Sequence, residues 1–263
     1  MNPQFMSVGD TQNSRQIAFR RTKGSNDENL GVVWLGGYRS DMLGSKAQVL
    51  QDWADESNNA CLRFDYSGHG ESQLDGAGDF MLGNISRWLE ESLAVFGSQT
   101  EGKQILVGSS MGCWIALRML QELKTRGEDS RIVGMILIAP APDFASELTW
   151  PRMSHGQQET VERDGFIKIP TPDPQWFEIY TKNLFDDAKN NIVLDAPIIA
   201  GCPIHILQGS DDDIVPVAHA VRLAELLPSE ELTMSIVKGG DHRLSRDEDL
   251  QLLKRALDQM ANA

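Results

Sequence analysis

The sequence is poor in cysteine. Its 263 residues include only Cys61, Cys113 and Cys202, with no Cys-x-x-Cys pair. A sparse, odd number of thiols argues against a disulfide framework and is typical of a reducing compartment. The chain also lacks an apolar run long enough to cross a membrane, and its first residues lack the apolar centre of a secretory signal. We therefore expect a cytoplasmic protein without stable membrane insertion.

Basic residues are scarce relative to acidic ones. The 24 Lys and Arg residues face 38 Asp and Glu residues, which gives a formal net charge of −14. A surface of this sign repels nucleic-acid phosphates, so we expect no nucleic-acid partner. The five histidines and three cysteines show no metal-ligand spacing, and we expect neither a metal nor a cofactor. The oligomeric state stays open.

Strand-like and helix-like segments alternate along most of the chain. Short apolar runs predict strands at 15–21, 31–37, 59–66, 103–108, 131–140, 203–209 and 231–237. Apolar residues at helical spacing predict helices at 46–57, 85–97, 111–124, 217–227 and 248–260. This alternation is typical of an α/β fold with a mainly parallel central sheet and helices on both faces. The first 13 residues lack such a pattern and predict a frayed leader.

The stretch 143–200 interrupts the alternation. It is rich in proline and aromatic residues and has short helical patches, such as 174–189. A long excursion between two core strands predicts a small lid, inserted into one domain whose core comprises 1–142 and 201–263. The aromatic residues of the insertion that we expect to bind substrate are Trp150, Trp176 and Phe177.

One pentapeptide, at 108–112, has the pattern of a nucleophile elbow. Its letters are G-S-S-M-G, and it follows a predicted buried strand and opens a predicted helix. In such a turn the flanking glycines avoid a collision between Cβ and backbone, and the central hydroxyl is exposed at the carboxyl end of the sheet. The pattern predicts Ser110 as a catalytic nucleophile. The alternative is a structural turn serine in an inactive protein.

A serine hydroxyl needs a base, and that base needs a carboxylate to fix its tautomer. The other histidines that follow Ser110 outside the insertion lie within a predicted strand or helix, whereas His242 lies in the loop after the last strand. In the chain order typical of such an elbow, the serine comes first, then the acid and then the histidine. The acid should therefore lie in the loop after the predicted strand 203–209, which precedes the last strand. That loop contains Asp211, Asp212 and Asp213, and chemistry alone does not choose among them.

Acyl transfer also needs two donors that converge on the developing oxyanion. The backbone N–H of Met111 comes directly after the serine and supplies one. The second should come from the loop after the first long strand, where Gly36 and Gly37 let the backbone approach closely. The N–H of Tyr38 is our candidate there.

These motifs resemble those of the α/β-hydrolase family nearly from end to end. The matching segments are LGGY (35–38), DYSGHGES (65–72), GSSMG (108–112), GSDDDIVP (209–216) and GGDHR (239–243). The resemblance implies the α/β-hydrolase fold, and the family motif G-x-x-D-x-x-V-P places the acid at Asp212. Within the family, GYRSDMLGSKA, CLRFDYSGHGES and LVGSSMGCWIAL are similar to palmitoyl-protein thioesterases and acyl-glucuronide esterases, whereas 143–200 match loosely.

The resemblance implies a serine hydrolase that cleaves acyl esters or thioesters through an acyl-enzyme without a cofactor. The partners it implies are a small acyl ester or thioester, or an S-acylated protein. Dehalogenases and epoxide hydrolases carry Asp where this chain has Ser110, so that chemistry is disfavoured. A serine peptidase acting on small peptides and an inactive, ligand-binding homologue stay open as alternatives, as do acyl-chain length and leaving group.

Overall fold

Strands and helices alternate through the residues that the computed structural model describes, which are 2–25, 30–73, 80–171, 177–228 and 231–262. The strands are β1 (Gln4–Val8), β2 (Arg15–Thr22), β3 (Gly31–Leu35), β4 (Ala60–Phe64), β5 (Gln104–Ser109), β6 (Ile132–Ile138), β7 (Phe166–Pro170), β8 (Phe177–Thr181), β9 (Ile204–Gly209) and β10 (Leu232–Val237). The helices are α1 (Ser45–Ser57), α2 (Ile85–Gln99), α3 (Met111–Arg126), α4 (His155–Asp164), α5 (Lys182–Ala188), α6 (Val217–Glu225) and α7 (Asp247–Ala261). None of the helices in these residues is both long and apolar enough to cross a membrane.

Within the described residues, eight strands form one sheet in the order β1-β2-β4-β3-β5-β6-β9-β10. The first three strands of this order pair antiparallel, and all pairs from β4 to β10 are parallel. Parallel strands all end at one edge of the sheet, so the loops after β5, β9 and β10 share that edge. The predicted α/β-hydrolase fold is confirmed.

Two apolar layers cover the sheet, one on each face. Helices α1 and α7 contact each other on one face, where Trp53 is buried. Helices α2 and α3 cover the other face, where Trp88 is buried. The central strand β5 serves both layers because side chains alternate along a strand: Leu106 lies in one layer, and Ile105 and Val107 lie in the other. This burial fixes the strand that precedes the candidate nucleophile.

The N-terminal residues differ from the predicted frayed leader. Residues Gln4–Val8 form β1, which pairs antiparallel with β2 from Gln4 opposite Phe19 to Val8 opposite Arg15. As an edge strand, β1 buries only Val8, so its sequence shows no apolar alternation. The prediction is wrong there because a partner strand, and not a local pattern, orders these residues.

Helix α2 continues past Gly97, where the sequence predicts its end. The helix runs to Gln99, and the backbone N–H of Thr100 then donates to Phe96 O. A glycine inside a helix costs only about 1 kcal/mol, which the buried side chains of Val95 and Phe96 outweigh. The position of the helix end is therefore set by packing against the sheet.

The insertion after β6 is a compact unit with its own secondary structure. A π-helical turn (Ala145–Thr149) and a single helical turn (Trp150–Arg152) lead to α4, and β7 and β8 then form an antiparallel hairpin before α5. The helical patch predicted at 174–189 is confirmed only for α5. Residues 177–181 form β8 instead, since an aromatic and β-branched segment beside β7 gains ladder hydrogen bonds. Residues 172–176 lie outside the described part.

A buried carboxylate, Asp65, organises the loop after β4. Its Oδ1 accepts the N–H of Met42 at 2.6 Å, and its Oδ2 accepts the N–H of Glu71 at 2.8 Å. The side chain is almost completely buried, and this burial raises the pKa of Asp65 to about 6. The carboxylate thus joins two loops at the carboxyl edge of the sheet, although burial disfavours its charged form.

We expect Asp65→Asn to flatten the dependence of the free energy of unfolding on pH between about pH 4 and 6. The pKa of Asp65 rises from an ordinary value of 3.8 to about 6 on folding, so the folded state binds this proton more tightly. The resulting stabilisation is fully present below the unfolded pKa and is lost as pH rises through the folded one, up to about 3 kcal/mol. Urea unfolding across this pH range measures the slope.

The control is Asp52→Asn, which removes an exposed carboxylate from α1. This variant should keep the wild-type slope. An Asp65→Asn slope equal to that of the wild type would contradict the prediction.

Candidate active site

Ser110 occupies a strained turn between β5 and α3. Its backbone has φ 54° and ψ −116°, a conformation that non-glycine residues rarely adopt. Hydrogen bonds hold the turn on both sides: the N–H of Ser110 donates to Ile138 O at 2.8 Å, and its carbonyl accepts from Cys113 N and Ala141 N. The hydroxyl consequently sits at the carboxyl edge of the sheet, as the elbow pattern predicts.

The two glycines of the elbow are required by close backbone approach. A Cβ on Gly108 would lie 2.6 Å from Gly112 O, and a Cβ on Gly112 would lie 2.0 Å from Leu35 O. Because Gly108 has no side chain, α3 can start directly against β5. Because Gly112 has none, α3 can pack on the end of β3. Any side chain at either position would push the helix away from the sheet.

Three residues from separate loops form a continuous chain of hydrogen bonds. His242 Nε2 lies 3.0 Å from Ser110 Oγ, and His242 Nδ1 lies 2.8 Å from Asp212 Oδ2. In the tautomer with the proton on Nδ1, the imidazole donates to the carboxylate and accepts from the serine hydroxyl. The structure therefore brings together the three residues predicted as nucleophile, base and acid.

Burial distinguishes Asp212, the predicted acid, from the aspartates on either side of it. The Asp212 side chain is completely buried, whereas Asp211 and Asp213 on either side are exposed. Asp212 Oδ1 accepts the N–H groups of Ile214 at 3.0 Å and Val215 at 2.7 Å. Burial by itself raises the pKa of Asp212, but the hydrogen bond and charge of the neighbouring imidazole and the N–H of Val215 outweigh it and keep this pKa below its usual value.

Outside the insertion, two further histidines follow the serine in the chain but lie elsewhere. His205 is within β9 and its Nε2 is 2.9 Å from Ser235 Oγ. His219 is in α6, with Nε2 2.8 Å from Pro142 O. Both are thus engaged with structural partners, and burial lowers the pKa of each.

The two predicted oxyanion donors flank the serine. A Cβ on Gly37 would lie 3.4 Å from Ser110 Cβ, which shows how closely the loop before Tyr38 approaches the turn. Within the described residues, the N–H groups of Tyr38 and Met111 donate to no protein acceptor. Met111 is also the first residue of α3, where the helix dipole favours negative charge. Both N–H groups are therefore available to an oxyanion.

A cavity of about 400 Å³ opens at Ser110 and His242. Its walls are mostly apolar, with polar groups at a few points. The described lining residues besides these two are Tyr38, Ala141, Phe144, Leu148, Thr149, Arg152, Met153, Gln157, Ile169, Glu178, Tyr180, Ile214 and Val215. An apolar cavity with few polar groups is typical of a small-molecule site.

The insertion contributes to this cavity through residues other than the predicted ones. Trp150 packs edge-on against Phe185 with ring centroids 4.9 Å apart, and Phe177 is 42% exposed on β8. Neither is among the described lining residues, and Trp176 lies outside the described part. Tyr180 lines the cavity instead, because strand alternation in β8 sets which side chains face inward.

Tyr180 also connects the insertion to the core. Its ring stacks on that of Tyr38, with centroids 5.6 Å apart and an interplanar angle of 2°. The Tyr38 hydroxyl donates to the backbone oxygen of Ile179, and burial raises the pKa of Tyr38 well above its usual range. The predicted oxyanion loop is thereby bonded to the hairpin of the insertion.

Two polar residues near the triad were not predicted from the sequence. Gln208 Nε2 lies 3.1 Å from Asp212 Oδ2, and Arg152 is at the cavity mouth, where its Nη1 donates to Ile214 O at 2.8 Å. The only sequence signal for Gln208 is a polar residue inside an otherwise apolar strand. Arg152 has no such signal, since its position depends on how the insertion folds back.

The fold and this site define an α/β hydrolase, and the comparison of the sequence with known families agrees. The model of the α/β hydrolase family matches residues 32–254, so the chain belongs to that family. It is similar to human palmitoyl-protein thioesterase ABHD10, mitochondrial, with 30% identity over 257 residues, which are 97% of this chain and 79% of the relative.

Solved structures show the same relationship. A putative hydrolase from Agrobacterium vitis S4 is 43% identical and superposes with a TM-score of 0.93 over 98% of both chains. Alpha/beta hydrolase domain-containing protein 10 from mouse is 27% identical, with a TM-score of 0.82 over 98% of both chains. The family and these relatives support hydrolase activity for this chain.

The predicted cytoplasmic location is wrong. It is overturned by the curated relatives, which are named as mitochondrial proteins. The three free, buried cysteines are compatible with any compartment that keeps thiols reduced, so they do not distinguish the cytoplasm from an organelle.

We expect Gly112→Ala to lower the free energy of unfolding by about 3 kcal/mol, because the new methyl group would overlap the backbone of Leu35 and push α3 off the sheet. Chemical denaturation monitored by tryptophan fluorescence measures the change. The matched control is Gly97→Ala in the exposed part of α2, where a Cβ meets nothing within 4 Å. That variant should be stabilised by about 0.5–1 kcal/mol. Equal stabilities for the two variants would contradict the steric argument.

Proposed function

We propose that the protein is a serine hydrolase that cleaves acyl esters or thioesters through an acyl-enzyme. One observation carries the proposal: the hydrogen-bond chain from Ser110 Oγ through His242 to the buried carboxylate of Asp212. A hydroxyl, an imidazole and a carboxylate in this order are the arrangement that activates serine for attack on a carbonyl.

In the first half of the reaction, Ser110 Oγ attacks the acyl carbonyl carbon while His242 Nε2 takes the hydroxyl proton. The carboxylate of Asp212 stabilises the imidazolium that forms. The carbonyl oxygen becomes an oxyanion, which accepts hydrogen bonds from the N–H groups of Tyr38 and Met111. As the intermediate collapses, the imidazolium gives its proton to the departing alcohol or thiol, and the acyl group stays on Ser110.

In the second half, water replaces the leaving group. His242 Nε2 takes a proton from the water, whose oxygen attacks the acyl carbon of the ester on Ser110. The same two N–H groups bind the second oxyanion. Collapse returns the proton to Ser110 Oγ and releases a carboxylic acid, so the enzyme is regenerated without a cofactor.

The cavity walls support an acyl group as the substrate portion next to the serine. Phe144, Leu148 and Tyr180 offer apolar and aromatic surface in the cavity that opens at Ser110, and apolar surface of this kind binds hydrocarbon by excluding water. The name of the human relative, palmitoyl-protein thioesterase, supports a fatty-acyl thioester as one substrate. The thiol would then leave from a small molecule or from an S-acylated protein.

We expect Ser110→Ala to reduce turnover of p-nitrophenyl esters and acyl thioesters by at least about 10³-fold, because among the described residues Ser110 is the one hydroxyl hydrogen-bonded to His242. Labelling by a fluorophosphonate should disappear in the same variant. Retained turnover in a homogeneous sample would contradict the mechanism. An inactive, ligand-binding protein would show neither turnover nor labelling in the wild type.

The acid is tested by replacing each aspartate of its loop. Asp212→Asn should lower kcat by about 10²–10⁴-fold, because the amide no longer fixes and stabilises the imidazole. Asp211→Asn and Asp213→Asn remove exposed carboxylates of the same loop and should stay within about threefold of the wild type. A larger loss in either of these than in Asp212→Asn would reassign the acid.

Arg152 supports a second substrate class, acyl esters with a carboxylate on the leaving group, of which an acyl glucuronide is one. This guanidinium lies at the cavity mouth beside Ile214. Ile214 belongs to the loop after β9 that contains Asp212, which we call the acid loop. Among the described residues, no carboxylate lies within ion-pair distance of it. An arginine with no ion-pair partner in the described part of the chain, in a sequence with net charge −14, is suited to bind an anionic leaving group.

We expect Arg152→Gln to lower kcat/KM for a carboxylate-bearing ester, relative to its methyl-ester counterpart, by about 5- to 10-fold. A partly exposed charged hydrogen bond contributes about 1 kcal/mol, which sets this magnitude. Arg163→Gln is the control, since Arg163 lies on α4 and pairs with Asp164. An unchanged ratio in Arg152→Gln would remove the support for this substrate class.

A further inference from the structure

Gln208 is a buried amide beside the candidate catalytic acid. It is the penultimate residue of β9 and has no exposed surface. Its Nε2 lies 3.1 Å from Asp212 Oδ2, 3.1 Å from Gly209 O and 3.1 Å from Val215 O. All three neighbours are acceptors, so the orientation of the amide is fixed with its NH₂ group toward the acid loop.

The other end of this amide is unsatisfied. Gln208 Oε1 is buried and has no hydrogen-bond partner within the described residues. A buried acceptor without a partner is unfavourable, and an apolar side chain of the same shape, such as methionine, would avoid the cost. The feature that glutamine has and methionine lacks is the NH₂ group, which faces Asp212 Oδ2 and the backbone carbonyls of Gly209 and Val215.

That donor acts on the same oxygen that His242 uses. Asp212 Oδ2 accepts from His242 Nδ1 and from Gln208 Nε2, while Oδ1 accepts from the N–H groups of Ile214 and Val215. Rotation of the carboxylate about its Cβ–Cγ bond would break the bonds on both oxygens. The amide therefore resists the rotation that would turn Oδ2 away from the imidazole.

We propose that Gln208 is a positioning residue of the catalytic triad: it holds Asp212 Oδ2 against His242 and moderates the negative charge that the imidazole experiences. The inference rests on the proposed function, because it assigns a role relative to the same three residues. Gln208 acts through Asp212 and has no contact with the reacting atoms.

The direction of the effect follows from the shared oxygen. Without the amide donor, the charge on Asp212 is less dispersed and attracts the protonated imidazole more strongly. The acid limb of kcat/KM, which reports the essential base, would then move to higher pH. A less constrained carboxylate also orients the imidazole less well, which lowers kcat.

Other charged groups surround the pair and are left unchanged by a substitution at 208. In the described residues they are Asp211 and Asp213 in the acid loop, Asp241 and Arg243 beside His242, Lys46 of α1, whose Nζ donates to Arg243 O, and Arg152 and Glu178 of the insertion. A shift of the acid limb in a single-site variant is therefore assigned to the amide.

The experiment compares pH profiles of Gln208→Met and Gln104→Met with the wild type. Gln104 is the matched control: it is also a buried glutamine on a central strand, but it lies at the opposite end of the sheet, where its Nε2 donates to Glu101 O. We expect Gln208→Met to raise the acid limb of kcat/KM by about 0.5–1 pH unit and to lower kcat by about 10-fold. Gln104→Met should change neither quantity.

A second variant and a second readout keep the inference testable if Gln208→Met does not fold. Gln208→Glu keeps the size and polarity of the side chain and places a carboxyl group beside Asp212, so its acid limb should move in the same direction. The low-field proton resonance of His242 Nδ1–H should shift in both variants, in a measurement that needs no substrate.

The inference is overturned if the Gln208 variants have the same acid limb of kcat/KM as the wild type and an unshifted His242 Nδ1–H resonance. The proposed function would still stand in that case. Absence of turnover and of fluorophosphonate labelling in the wild type would instead overturn the proposed function itself. The two failures are thus distinguishable.

Discussion

The site depends on one strained backbone conformation, that of Ser110 at φ 54°. Such a residue costs on the order of 1–3 kcal/mol and persists only where the surroundings fix it. Here the surroundings are the hydrogen bond from Ser110 N to Ile138 O on the neighbouring strand and the packing of α3 on Leu35. The packed sheet stabilises the turn, and the turn exposes a hydroxyl that a relaxed loop would leave unconstrained.

Parallel pairing explains why residues far apart in the chain meet at this hydroxyl. Ser110 follows β5, Asp212 follows β9 and His242 follows β10, and all three strands end at the same edge of the sheet. Strands β9 and β10 are adjacent, so the acid and the imidazole need only short loops to come within 2.8 Å. The two-layer core thus fixes distances that the loops alone could not hold.

The sequence was sufficient for features that local sterics or family motifs determine. The elbow glycines and most strands and helices of the core belong to this class, because backbone contact and side-chain periodicity are visible in the letters. The choice among Asp211, Asp212 and Asp213 depended on the family motif, since burial of one carboxylate arises only in the folded chain. Strand β1 and the pocket position of Tyr180 were missed for the same reason: a pairing partner determines each.

The hydrogen bond between Tyr38 and the insertion links the cavity wall to the proposed oxyanion site. Tyr38 N–H belongs to the proposed oxyanion site, while its ring stacks on Tyr180 and its hydroxyl bonds to Ile179 O. The wall of the cavity and the proposed donor are therefore parts of one packed unit. Since the elbow, acid and histidine loops come from the core, changes elsewhere in the insertion can alter the proposed acyl pocket while the proposed triad keeps its geometry. A substitution in the hairpin at Ile179 or Tyr180 is different, because it acts on binding and on the oxyanion loop together.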